Sequence, residues 1–216
     1  MYKNLSLTEQ FKYLAIGNSI TLHGKCSYWF AECGMAASSP KTDYVHIVIE
    51  YLRRTFAEVS YDVFNYYLWE ATEHDRIQTY QLLDMHLQCD INLITVQLSE
   101  NVINLDMFER DFEDLLIKLR SEASKAIIIV IDDFWSKSKS EIKRAVTNRL
   151  NVPFVGLSDI ANENYMCGIG TEVYGDDGLI YIVDHQGVAK HPNDEAMECI
   201  ASRIIDICKV KLELDC

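Results

Sequence analysis

The run Tyr13-Leu14-Ala15-Ile16 is apolar without a break and stops at Gly17-Asn18-Ser19. A short apolar run bounded by turn residues predicts a buried strand. Asp43 is placed to cap a helix whose apolar positions Val45, Val48, Leu52 and Phe56 share one face. Val59 to Leu68 is rich in β-branched and aromatic residues and predicts a second strand. Residues 73 to 87 predict a helix, and Ile91 to Leu98 a third strand. Phe108, Phe112, Leu115, Leu116 and Leu119 lie at helical spacing ahead of Ala126 to Ile131, the clearest buried strand of the chain. An amphipathic helix from Ser140 to Leu150 and a short strand from Pro153 to Leu157 follow. Met166 to Gly178 holds four of the nine glycines and reads as a long loop. Leu179 to Val183 is a small strand or one arm of a hairpin. The last helix runs from Asn193 to about Leu214, with Met197, Ile200, Ile204, Ile207 and Cys208 turned inward.

Strands therefore alternate with helices, and several strands are apolar throughout. That pattern predicts a parallel sheet covered on both faces. Five strands predict a flavodoxin-like, three-layer α/β/α fold with sheet order 2-1-3-4-5. No linker, repeat or low-complexity stretch divides the chain, so a single domain over residues 1–216 is expected. In such a sheet a ligand sits beyond the carboxyl ends of the strands, where the winding reverses between strands one and three. The residues to inspect are thus Gly17-Asn18-Ser19-Ile20-Thr21 and Ser99-Glu100-Asn101-Val102.

Composition narrows the choice of partner. Apolar residues make up 49% of the 216 and charged residues 25%, the balance of a globular chain with no membrane-spanning run. Against 20 Lys and Arg stand 33 Asp and Glu, a formal charge of −13. Such a field repels phosphate backbones and anionic lipid, so neither nucleic acid nor membrane is expected as a partner. The seven cysteines are scattered without a C-x-x-C pair, which argues against a zinc site or a disulfide framework. Reduced thiols, and an N-terminal stretch without a signal-peptide pattern, point to the cytoplasm.

Three polar residues in the inspected places carry candidate chemistry. Ser19 sits on a Gly-led turn that reads as the link between a strand and a helix, which exposes its hydroxyl and aims its own N–H at the same space. Capping a helix is the other use of a Ser there. Asn101 could donate its amide to a developing oxyanion without adding charge, or simply cap a turn. His191, in Lys190-His191-Pro192-Asn193-Asp194 ahead of the last helix, is held by Pro192 and could take a proton from a hydroxyl. A surface loop His is the alternative.

Taken together and in this order, these blocks resemble the SGNH/GDSL hydrolases. Gly17-Asn18-Ser19-Ile20-Thr21 is similar to the family's first block, with Asn18 where many members have Asp. Ser99-Glu100-Asn101-Val102 is similar to its third, with Ser99 in place of Gly. His191-Pro192-Asn193-Asp194 is similar to its fifth. Gly34-Met35-Ala36-Ala37-Ser38 through Asp43-Tyr44-Val45-His46 resembles a bacterial branch, and the likeness extends over about residues 12 to 208. The resemblance implies a flavodoxin-like serine esterase or acylhydrolase without metal or organic cofactor. Ser19 would be the nucleophile and His191 the base, with the Ser19 N–H and the Asn101 amide as oxyanion donors. It implies a small acyl group, acetyl above all, removed from a carbohydrate or similar polar ester through an ester on Ser19.

Two departures bear on that reading. The position three before His191, where the family often has Asp, is Val188. Asp184 is the nearest upstream acid to orient the imidazole; otherwise a backbone carbonyl holds Nδ1 and leaves a Ser–His dyad. The family's second-block Gly is absent from Asn65-Tyr66-Tyr67-Leu68-Trp69-Glu70, so Gly34 is a substitute donor or the hole has two donors. An acyltransferase of glycan assembly and a non-catalytic binding module on a degenerate hydrolase fold are the competing functions. His23 and His185 could line the site mouth. Trp29, Trp69 and Trp135 are expected to pack in or near the core. Cys26 and Cys33 lack a local base that would make either a nucleophile. Glu70, Glu100 and the Asp132-Asp133 pair follow strands, where turn and cap roles compete with a metal site.

Overall fold

The computed structural model describes residues 10–88 and 90–212. In chain order the elements are β1 (Gln10–Gly17), α1 (Tyr44–Thr55), β2 (Glu58–Asn65), α2 (Tyr67–Ala71), α3 (Tyr80–Asp84), β3 (Leu93–Gln97), α4 (Phe108–Glu122), β4 (Ile127–Ile131), α5 (Lys137–Leu150), β5 (Phe154–Val155), β6 (Glu172–Tyr174), β7 (Ile180–Ile182), α6 (Gln186–Ala189) and α7 (Asp194–Leu212). The first five strands form a parallel sheet in the order β2-β1-β3-β4-β5. This is the predicted topology, with the reversal between β1 and β3.

Strand alternation divides the core in two. Phe11, Tyr13 and Ala15 of β1 and Ile127, Ile129 and Ile131 of β4 face α1 and α7. Leu14, Ile16, Ile94, Val96, Ile128 and Val130 face the opposite way, against Phe108, Phe112, Leu115 and Leu119 of α4. Both faces of the central strands are thus buried, which is why their sequences are continuous apolar runs. Register sets the rim: Gly17 pairs with Asn65 on one side and with Gln97 on the other. The segments leaving β1, β2 and β3 therefore start at one level.

Several predicted boundaries move. β2 stops at Asn65 rather than Leu68, because the Asn65 side-chain oxygen accepts the Tyr67 N–H at 2.9 Å and turns the chain. Tyr67 to Ala71 then winds into α2 and buries Trp69 and Glu70. The helix predicted over 73 to 87 is a 3₁₀ turn at Arg76–Thr79 followed by the short α3, preceded by Asp75 in the left-handed region (φ 56°). α5 begins at Lys137, three residues early, with Ser136 as its cap. The glycine-rich stretch is not one loop: it contains β6, paired antiparallel with β7. Gly178, at φ +78°, makes the turn between them. The reading of the first nine residues, Cys89, Cys216 and the last helix beyond Leu212 lie outside the described residues.

Candidate active site

Ser19 follows β1 directly, and the local sequence explains how it is presented. Asn18 is fully buried; its side-chain oxygen accepts the Ile20 N–H at 3.0 Å, and its carbonyl accepts the Thr21 and Leu22 N–H groups. The chain folds so tightly here that a Cβ on Gly17 would lie 1.8 Å from the Thr21 hydroxyl and 2.8 Å from the Gln97 carbonyl. Only glycine fits, which gives this residue a steric purpose. Among the described residues the Ser19 N–H has no protein acceptor.

The other half of the site is brought in by a third apolar cluster. Trp29, Ala31, Cys33 and Met35, from the segment after β1, pack against Val173 and Val183 of the hairpin and Val188 and Ala189 of α6. The Met35 N–H is also bonded to the Ser19 carbonyl at 2.8 Å. This packing carries the loop after α6, and with it His191, onto the rim of the sheet. The Asn193 side chain then caps α7 through the Ala196 N–H.

His191 Nε2 lies 2.8 Å from Ser19 Oγ. Its Nδ1 lies 2.8 Å from the Gly187 carbonyl, which can only accept, so Nδ1 carries the proton. In the neutral ring Nε2 is then the acceptor, and the Ser19 hydroxyl donates to it. Trp135 fixes the ring from one side: it packs edge-on at 4.9 Å between centroids, and its indole N–H donates to the Lys190 carbonyl. Burial pushes the imidazole down to about 4, opposed by the Gly187 bond and helped by His23 and His185. A protonated ring is costly in this place, so the neutral base persists through neutral pH.

Asn101 stands across the site, behind an unusual turn. Ser99, in the position where the resemblance expects Gly, has φ +125°. Two carboxylates hold it: its N–H donates to Glu70 at 2.5 Å and its hydroxyl to Asp133 at 2.9 Å. The Asn101 side-chain nitrogen donates to the other oxygen of Glu70 at 2.6 Å, and the Asn18 amide donates to the first at 3.0 Å. Below this turn Lys143, fully buried, donates to the Leu98 carbonyl at 2.7 Å. Burial and the neighbouring Asp133 push Glu100 well above the ordinary carboxylate range.

Two of the acids and glycines expected at the site are elsewhere. Asp184 does not orient His191; the Gly187 carbonyl has that place, so the arrangement is a dyad held by backbone. Gly34 does not offer its N–H to the site, since that group donates to Asp43 at 3.0 Å. Its role is steric: a Cβ there would meet the Ile20 carbonyl at 2.5 Å. Cys33 is buried, and burial raises its thiol well above its ordinary value, so it is no thiolate. Asp132 and Asp133 serve turns and caps: Asp133 accepts the Trp135 and Ser136 N–H groups, and Asp132 the Leu157 N–H. Trp29 and Trp69 are core residues.

Ser19, Asn101 and His191 line a cavity of about 410 Å³ together with Tyr28, Tyr67 and His185. Tyr28 stacks on His185 with centroids 4.2 Å apart. His23 and Asn65 also line it, and among the described residues no Asp, Glu, Lys or Arg does. Sequence reasoning missed Asn65, Tyr67, Gly187 and the bonding of Glu70. Asn65 carried a readable signal, being the polar residue that ends β2 at the rim.

Solved structures with this arrangement of elements include three of note. A two-domain esterase active on acetylated mannans superposes with a TM-score of 0.56 at 17% identity, over 95% of this chain and 50% of its own. Esterase EstA from Pseudoalteromonas sp. gives 0.54 at 14%, over 94% and 98%. A lipolytic protein of the G-D-S-L family from Desulfitobacterium hafniense gives 0.54 at 11%, over 91% and 98%. The chain has the fold of the GDSL/SGNH esterases. It spans half the length of the mannan-active enzyme. No protein-family model and no curated protein matches its sequence. Within the GDSL/SGNH fold, Ser19 stands after the first strand, Asn101 after the third and His191 before the last helix.

Proposed function

We propose that the protein is a serine esterase that removes a small acyl group, acetyl in the first place, from a carbohydrate or similar polar ester. The observation that carries this is the 2.8 Å contact between Ser19 Oγ and the unprotonated His191 Nε2. In the proposed reaction His191 takes the Ser19 proton as Oγ attacks the acyl carbon. The oxyanion that forms is met by the Ser19 N–H and by the Asn101 amide. His191 then gives its proton to the departing alcohol oxygen, leaving an ester on Ser19. Water, deprotonated by His191, attacks that ester, and the proton returns to Ser19 as the acid leaves.

The substrate class rests on the cavity. Among the described residues no Asp, Glu, Lys or Arg side chain lines it, which suits a neutral ester in a chain of net charge −13. Half-exposed tyrosines at its mouth, Tyr28 and Tyr67, offer ring faces and hydroxyls to a sugar. One structural neighbour acts on acetylated mannans, which fits the same class. The test is hydrolysis of 4-nitrophenyl acetate and of a panel of acetylated oligosaccharides, with Ser19→Ala as control. Acetate release that the variant lacks is the expected result. Acetyl transfer to a sugar acceptor in excess of hydrolysis would replace the esterase reading by a transferase one.

A further inference from the structure

Glu70 is a carboxylate with 1% of its surface exposed, set directly behind the site rather than in the cavity. Three donors converge on it: the Asn18 amide and the Ser99 N–H on Oε1, and the Asn101 amide on Oε2. These belong to the turn after β1, which presents Ser19, and to the turn after β3, which presents Asn101. One side chain on α2 thus ties the nucleophile turn to the proposed oxyanion donor. From this geometry we infer that Glu70 is the positioning residue that keeps the Asn101 carboxamide nitrogen turned toward the site. The inference rests on the esterase reading for its kinetic consequence and on hydrogen bonding alone for its structural one.

The chemistry of the group explains why an acid is required. An ionised carboxylate only accepts, so whatever faces it must donate. Asn101 can meet it only with its Nδ2, which has two hydrogens; one is spent on Glu70 and the other remains for an oxyanion. With the carboxamide flipped, its oxygen would face the carboxylate and both would repel. The same rule fixes Asn18, whose nitrogen goes to Glu70 and whose oxygen is left for the Ile20 N–H. An Asp at position 18 would instead set two carboxylates against each other, which explains locally why an amide stands there. Gln at position 70 breaks the rule. Its NH₂ would have to face one of three donors, and the network would settle only by turning an amide or losing a bond.

The decisive experiment is a double-mutant cycle on the purified full chain, with Glu70→Gln and Asn101→Ala separately and together, read with 4-nitrophenyl acetate. Glu70→Gln should lower kcat toward the ~10²–10³-fold loss of one oxyanion donor, with KM nearly unchanged. In the Asn101→Ala background the same substitution should have little further effect, because its target is gone. Wild-type kcat in Glu70→Gln, or losses that multiply in the double variant, would overturn the inference while leaving Ser19 as nucleophile. A second measurement needs no folded variant: ¹⁵N NMR of the unmodified protein. One Asn101 carboxamide proton should be downfield and slow to exchange. The other should shift when diethyl 4-nitrophenyl phosphate modifies Ser19. Two freely exchanging Asn101 protons would also overturn it. Absence of any ester hydrolysis by the wild type would instead defeat the esterase reading.

Discussion

Ser19 and His191 are 172 residues apart in sequence, yet their side chains meet at 2.8 Å, and among the described residues no acidic side chain completes the pair. The imidazole is oriented by a backbone carbonyl, which a triad would assign to Asp or Glu. Asp184→Ala should accordingly change kcat/KM by no more than about twofold, as for an exposed residue outside any network. Steady-state kinetics on an acetyl ester checks this. A loss of several orders of magnitude would mean that Asp184 reaches His191 during turnover.

The pH profile follows from the state of His191. Its folded pKa is depressed to about 4, and the base acts only when neutral. kcat/KM should therefore rise with pH through about 4 and stay level at neutral pH. Stability moves the same way. The unfolded chain binds this proton near the ordinary 6.5 and the folded chain does not, so stability falls as pH drops from there toward 4. A limb in kcat/KM near 7 would contradict the buried, neutral imidazole.

Asn101→Ala should lower kcat by ~10²–10³ with little change in KM and no loss of fold. Circular dichroism together with kinetics on the same sample separates the two effects. An unchanged kcat would remove Asn101 from the proposed oxyanion hole.

Ser99 allows backbone strain to be weighed against a hydrogen bond. At φ +125° a side chain costs about 1–3 kcal/mol relative to glycine, while the bond to Asp133 contributes about 1 kcal/mol. Ser99→Ala keeps the strain and loses the bond; Ser99→Gly loses both. Thermal or urea unfolding should therefore rank Ser99→Gly above Ser99→Ala in stability. The reverse order would show that this backbone is not strained.

Much of this arrangement was legible in the sequence, and the rest was hidden for identifiable reasons. The continuous apolar runs at Tyr13–Ile16 and Ala126–Ile131 read as buried strands, and the alternation of five strands with helices pointed to the sheet order and so to the rim. Gly17 stood out because glycine is scarce, and the close approach of Thr21 and Gln97 accounts for it. The end of β2 was misread because Tyr67, Leu68 and Trp69 have strand-like chemistry, while one Asn65 side-chain bond reverses the chain. The orienter of His191 was invisible in principle: a carbonyl belongs to every residue, so nothing in the letters marks Gly187. Glu70 was visible as an acid after a strand, but three donors from distant turns meet on it only in the fold.

Hydrolysis of 4-nitrophenyl acetate by the wild type and by Ser19→Ala tests the central claim most directly. The wild type should turn over the ester, and the variant, folded and equally stable, should lose about 10⁴-fold or more of that rate. A folded Ser19→Ala protein hydrolysing the ester at the wild-type rate would contradict the account.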